Sequence, residues 1–274
     1  MPKIKLVSSD LNGTLVHQHT MSDMIRLYVG EKQYRQANDV FTQQTNGNAS
    51  MELAFSTAGP LTRGLSLRQA IEYTKTHMSY MDGFATFVGT LAENSIPLVI
   101  NSTGYSVTAY SIEERIGGGR IHGHIGNFLK FAMNANPHET LNEDELRRKV
   151  HEYFVNPEST NDNVYDIMQA TGLIELGIMN EGDKARLIRE YATRHFDGVS
   201  PGEIAHIGDT MGDSCGIVGI AQAGGIGIAF NYNDALKKFL ENAVRNIKIP
   251  GEIYLIEPKS KYSNLEGILP ILLR

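Results

Sequence analysis

The chain has 274 residues, with 25 Lys and Arg against 31 Asp and Glu and a formal net charge of −6. That length fits one large domain or two small ones, and the acidic balance lacks the basic excess that marks a nucleic-acid binder. A chain with 41% hydrophobic and 20% charged residues is globular rather than disordered, and its single cysteine, Cys215, excludes an intrachain disulfide and a cysteine-rich metal site.

The first element is an apolar run, Ile4 to Ser8, ending in Asp10-Leu11-Asn12-Gly13-Thr14. It reads as a strand followed by a loop. No apolar run is long enough to span a bilayer, and no signal-peptide pattern precedes the strand. A cytoplasmic protein without membrane or nucleic-acid partners is expected. Residues 21–57 mix amphipathic helical spacing with polar stretches such as Gln43-Gln44-Thr45-Asn46-Gly47-Asn48. Further helices are predicted over 66–76 and 82–94. A short strand, Ile96 to Ile100, then breaks at Asn101-Ser102-Thr103-Gly104. A helix over 106–115 ends at three glycines, and 120–127 reads as a short hairpin. The stretch 132–171 is the least regular, with a charged helix over 142–153 and a polar linker over 156–163. Then come a helix over 183–194, a strand over 203–207, a strand over 225–230, a helix over 233–243 and a strand over 253–256. Strands alternating with helices predict an α/β fold with a Rossmann-like, doubly wound parallel sheet.

Ligands of such sheets sit at the carboxyl ends of strands. Asp10 follows the first strand, Ser102 the second, and Asp209 and Asp213 a third. Three carboxylates suit a hard divalent ion such as Mg²⁺. A lysine (Lys184) and a hydroxyl (Ser102, or its neighbour Thr103) suit a phosphate. A carboxylate beside both can act as a nucleophile and form an aspartyl-phosphate.

These residues resemble the four motifs of the haloacid dehalogenase (HAD) superfamily of phosphohydrolases. Val7-Ser8-Ser9-Asp10-Leu11-Asn12-Gly13-Thr14 is similar to the first, and Leu98-Val99-Ile100-Asn101-Ser102 to the second. Gly182-Asp183-Lys184 is similar to the third, and Gly208-Asp209-Thr210-Met211-Gly212-Asp213 to the fourth. Ser102-Thr103-Gly104-Tyr105 and the run Ala223 to Asn231 look most like the phosphoserine phosphatase branch. The resemblance implies a catalytic core of 1–16 and 82–274, an inserted helical cap over 17–81, and an extra insertion at about 131–171. It implies Asp10 as nucleophile and Mg²⁺ ligand, the Asn12 carbonyl and Asp209 as further ligands, and Asp213 as a ligand through water or as a holder of Lys184. Ser102 and Lys184 would hold the phosphoryl oxygens of a small phosphorylated metabolite.

Two positions depart from the pattern. Asn12 replaces the acid/base Asp of the family, so proton transfer to the leaving group is lost. His19 replaces the Glu that would meet a substrate ammonium, leaving His19 as a substrate-facing candidate. Beside a Mg²⁺-dependent phosphatase, a phosphotransferase or mutase on the same core and a phosphate-binding member weakened at Asn12 are the alternatives. Arg63 and Arg68 are read as solvated helix faces or as contacts to an anionic substrate group. His122 and His124, though spaced like metal ligands, are read as structural.

Overall fold

The computed structural model describes residues 3–257 and 264–274. Seven strands form one sheet: β1 (Leu6–Ser9), β2 (Leu98–Tyr105), β3 (Ile121–Met133), β4 (Met168–Glu175), β5 (Ile204–Gly208), β6 (Ile226–Phe230) and β7 (Glu252–Ile256). Their order is β4-β3-β2-β1-β5-β6-β7. All pairs are parallel except β3–β4. β1 lies near the middle, with Ser9 opposite Ile100 of β2 on one side and Ile207 of β5 on the other. The chain leaves β1 toward β2 and later returns to β5 on the opposite flank. The carboxyl end of β1 is therefore a topological switch point, where such sheets hold ligands.

Helices cover the sheet: α1 (Thr20–Tyr28), α2 (Glu31–Thr45), α3 (Met51–Ala58), α4 (Leu67–Thr76), α5 (Phe84–Glu93), α6 (Ser106–Ile116), α7 (Glu143–Val155), α8 (Val164–Ile167), α9 (Asp183–His195), α10 (Ser214–Gln222), α11 (Asp234–Asn246) and α12 (Leu269–Leu272). Local chemistry explains several of the starts. Ser66 and Gln69 form a reciprocal capping box at α4, and Asn142 and Glu145 form another at α7. In α11 the buried Leu236, Leu240 and Ala243 recur at helical spacing and pack with Ile217 and Ala229. Each fully buried leucine or isoleucine of this set contributes roughly 1.5–3 kcal/mol.

Three expectations change. Residues 120–127 are no hairpin but the first half of β3, which pairs parallel with β2 from Leu98↔Ile121 to Tyr105↔Asn127. The glycines at 117–119 end α6, as expected, with positive φ, and lead into the strand. The break expected after Ile100 is an irregularity inside β2, which continues to Tyr105. The irregular stretch 132–171 is more ordered than its composition implies. It carries α7, α8 and the start of β4, which turns back antiparallel on β3 to form the sheet edge.

That edge also holds the helices that follow β1. The Gly64 N–H donates to the Ala170 carbonyl at 3.0 Å, and the Ala170 N–H donates to Leu65 at 2.8 Å. Arg68 of α4 donates to Asp166 at 2.7 Å and to the Asp162 carbonyl at 2.7 Å. The segment expected as an extra insertion thus braces α4 against the sheet.

Candidate active site

Four ionisable residues converge at the carboxyl ends of β1 and β5. Asp10 directly follows β1, and Asp209 directly follows β5. Asp213 closes a short 3-10 turn, Met211–Asp213, that leads into α10, and Lys184 lies in the first turn of α9. One carboxylate oxygen from each of the three aspartates falls within 4.8 Å of the others. Lys184 Nζ donates to Asp10 Oδ1 at 2.8 Å and to Asp213 Oδ1 at 2.5 Å.

The loops close tightly here because two residues lack a Cβ. Gly13 has φ +75, and a Cβ there would lie 2.1 Å from Asp209 Oδ2. A Cβ on Gly208 would lie 2.1 Å from the Asp213 carboxyl carbon. Thr14 Oγ1 donates to Asp209 Oδ1 at 3.2 Å. Asp213 is more fully committed. Its Oδ2 accepts from the Asp209 and Thr210 amides at 3.2 and 3.4 Å, and its Oδ1 also lies 3.4 Å from His206 Nε2. His206 is itself held by Ser8 Oγ at 2.9 Å, and Asn101 Nδ2 donates to the same Ser8 oxygen at 3.1 Å. Sequence reasoning missed His206, Ser8 and Asn101 as supports, although a buried polar triplet on adjacent apolar strands requires mutual partners.

Burial sets the electrostatics. It pushes the Asp10 carboxyl up, with Lys184 opposing and Asp213 adding to the rise. Burial raises Asp209 further, well above the ordinary carboxylate value, and both other aspartates add to it. For Asp213 burial is outweighed by Lys184 and His206, which hold it down to about 2. Lys184 stays protonated because Asp10 and Asp213 overcome its own burial. Three carboxylates thus face one ammonium, and Asp209 is the one that Lys184 does not contact. An all-oxygen, charge-deficient set of this kind fits a hard divalent cation.

A cavity of about 220 Å³ opens above this cluster. Asp10, Lys184 and Asp209 form its floor, and Asn12, Thr103, His17, His19, Gln44 and Thr45 are among its other lining residues. Asp213 is fully buried beneath the floor. Ser102 is also buried; its Oγ accepts from the Gly104 amide at 3.1 Å and lies against Asp10, whereas Thr103 reaches the cavity. The Asn12 side-chain oxygen accepts from the Thr20 amide at 2.9 Å and the Thr20 hydroxyl at 2.8 Å, which leaves its Nδ2 toward Gly104.

His19 precedes α1, with Nδ1 3.1 Å from Ser22 Oγ and its ring 4.7 Å from that of Phe41. Burial lowers its pKa to about 4, so the imidazole is neutral near pH 7. Gln44 and Thr45, at the end of α2, were visible in the sequence only as part of a polar stretch; nothing local says that this turn faces the site. Arg63 is exposed and Arg68 is bound to the α8 region, and neither lines the cavity. His122 and His124 belong to β3, away from the cavity.

No protein-family model matches the chain, and no curated protein does. Solved structures share its fold at low identity. A phospho-aspartyl intermediate analogue of phosphoserine phosphatase matches with a TM-score of 0.67 and 16% identity, covering 99% of this chain and 100% of that one. A substrate-bound phosphoserine phosphatase matches with a TM-score of 0.62 and 17% identity, over 90% of this chain and 100% of the other. A HAD family hydrolase from Salmonella enterica serovar Typhi matches with a TM-score of 0.67 and 15% identity, covering all of this chain and 72% of that one. The chain therefore shares the α/β fold of these phosphoserine phosphatase and HAD family hydrolase structures.

Proposed function

We propose that this protein is a Mg²⁺-dependent phosphatase of small phosphorylated metabolites that works through a phosphorylated Asp10. The observation that carries this reading is the Lys184 bridge between Asp10 and Asp213, with Asp209 alongside, on the floor of a small cavity at the switch point. The segment 17–81 serves as the cap over a core of 1–16 and 82–274.

Asp10, the Asn12 backbone carbonyl and Asp209 would hold Mg²⁺, which when bound neutralises charge on the phosphoryl oxygens. Asp213 acts chiefly by fixing Lys184, since hydrogen bonds from Lys184 and two backbone amides occupy both of its oxygens. Lys184 holds Asp10 Oδ1, which leaves Oδ2 to attack phosphorus. As that P–O bond forms, the bond to the leaving oxygen breaks, and the departing group takes its proton from solvent. Lys184, with Thr103 and Ser102, receives the phosphoryl oxygens. Water then attacks phosphorus, the Asp10–phosphorus bond breaks, and phosphate departs with the carboxylate restored. The work of the site is positioning and charge stabilisation.

Asn12 makes this a weak phosphatase for alkyl esters. Its amide neither protonates the leaving oxygen nor activates water. Aryl and acyl phosphates, which depart as weak bases, are the better substrates, and the phosphorylated Asp10 persists. The test is phosphate release from an aryl phosphate with Mg²⁺, together with mass spectrometry of Asp10. Mg²⁺-dependent turnover lost in Asp10→Asn supports the reading; equal turnover in Asp10→Asn sinks it.

A further inference from the structure

The floor of the cavity carries carboxylates and a lysine, and the wall above it carries neither. Asn12, His17, His19, Gln44 and Thr45 line the rest of the cavity, where the leaving group of a phosphate ester would lie. None is a carboxylate, lysine or arginine. The two carboxylates on the lining, Asp10 and Asp209, belong to the phosphoryl side, where Lys184 and Thr14 already engage them.

Gln44 stands out on this wall. Its side chain is only 5% exposed, lines the cavity, and has no hydrogen-bond partner among the described residues. Its Nε2 lies beside Gly212, on the rim of the metal-binding loop. A carboxamide that faces a cavity takes its hydrogen-bond partners from water or from a ligand there. It offers both a donor and an acceptor, and a hydroxyl is the small group that satisfies both at once. Asn12 also lines the cavity, and with Thr20 occupying its oxygen its Nδ2 has no hydrogen-bond partner among the described residues. At about 220 Å³ the cavity is below the range for drug-sized ligands.

We propose that Gln44 is a specificity-determining residue that selects uncharged, hydroxyl-bearing phosphate esters, such as small polyol phosphates, over esters carrying an ammonium or a carboxylate. An ammonium on this wall would lose its water and meet no opposite charge. A hydroxyl would fill the open valences of Gln44, and a site built to bond a hydroxyl discriminates strongly against a group that cannot reciprocate. The inference rests on the phosphatase reading for the position of the phosphoryl group.

Glycerol 3-phosphate and phosphoserine form a matched pair, similar in length and differing in the charges beyond the phosphate. Calorimetry with Mg²⁺ should show glycerol 3-phosphate binding at least about ten-fold more tightly, the scale of one or two hydrogen bonds plus an unpaired charge. Gln44→Leu should weaken glycerol 3-phosphate about ten-fold. Gln44→Glu should shift the preference toward phosphoserine, whose ammonium then finds a carboxylate. Phosphoserine binding as tightly as glycerol 3-phosphate, or a preference that ignores Gln44→Glu, overturns the proposal. The phosphatase reading fails separately. If no aryl phosphate is turned over while the binding preference and its response to Gln44→Glu hold, the catalytic reading falls and the selectivity stands.

Discussion

The floor and the outer wall of the cavity are built on opposite plans. On the floor each charged side chain is already engaged by a neighbour: Lys184 bridges Asp10 and Asp213, Thr14 holds Asp209, and backbone amides occupy the far side of Asp213. On the wall Gln44 has no side-chain hydrogen bond among the described residues, His19 is neutral, and Asn12 has spent its acceptor. A preorganised, charged floor serves a reacting group whose charge distribution is the same for every phosphate ester. A wall without carboxylates, lysines or arginines serves a part of the substrate that differs from one ester to another. The two surfaces should therefore respond differently to substitution.

The largest effect is expected on the floor. Lys184→Met leaves Asp10 and Asp213 buried without their cation, and breaking such a pair costs about 3–5 kcal/mol. Chemical denaturation should show that loss together with loss of Mg²⁺-dependent turnover. A stable, active Lys184→Met protein would mean that the floor is not organised around this lysine.

Next comes Asn12→Asp, at the junction of floor and wall. One carboxylate oxygen can keep both bonds from Thr20 while the other takes the place of Nδ2 and faces the cavity. General acid–base help is worth about 10²–10⁴-fold. Turnover of an alkyl phosphate should rise by that factor, with a much smaller gain on an aryl phosphate. Equal gains on both, or none, would mean that another group supplies the proton, and His19 is the first candidate on the wall.

The floor was legible in the sequence and the wall was not. Asp10, Lys184, Asp209 and Asp213 follow apolar strands or open helices, so local pattern places each at the same end of one sheet. Gln44 lies on an amphipathic helix whose orientation is decided by packing of Phe41, Val40 and Ala37 against the rest of the interior. No local signal states which turn of that helix overlooks the site. The same limit explains β3 and β4. A strand with glycines and histidines, Ile121-His122-Gly123-His124, lacks a clean alternation, and its pairing with β2 is a non-local fact.

Asp209 gives a third and smaller effect, with a sign that pH reveals. Burial raises its pKa, so the folded chain holds that proton to a higher pH than the unfolded chain does. In the absence of metal the protein therefore loses stability as pH rises above about 4, the ordinary carboxylate value. A divalent cation offsets that loss, so the Mg²⁺-induced rise in Tm should grow between pH 4.5 and pH 7.5. Asp209→Asn should raise the metal-free Tm at pH 7.5 and remove the response to Mg²⁺. A full Mg²⁺ response in Asp209→Asn would exclude Asp209 as a ligand.

The smallest effect concerns His19 and asks whether the wall stays uncharged. Burial lowers its pKa to about 4, against about 6.5 for a free imidazole. Between those values the unfolded chain binds a proton that the folded chain refuses, so stability falls as pH drops from 6.5 toward 4. The ring is partly open to the cavity, which moderates the cost to about 1 kcal/mol, or roughly 2–4 °C in Tm for a domain of this size. The fall in Tm from pH 7 to pH 4.5 should therefore be smaller by that amount in His19→Gln. The same titration bears on selectivity. From pH 8 to pH 5 the wall carries no charge from His19, so the ratio of 3-phosphoglycerate to glycerol 3-phosphate affinity should change little through this residue. Below pH 5 an imidazolium appears beside the leaving group and favours the carboxylate-bearing ester. That rise should be absent in His19→Gln, where an amide keeps the hydrogen-bonding capacity and never acquires the charge. If wild type and His19→Gln follow the same course below pH 5, His19 does not face the substrate, and the uncharged wall is defined by Gln44 and Asn12 without it.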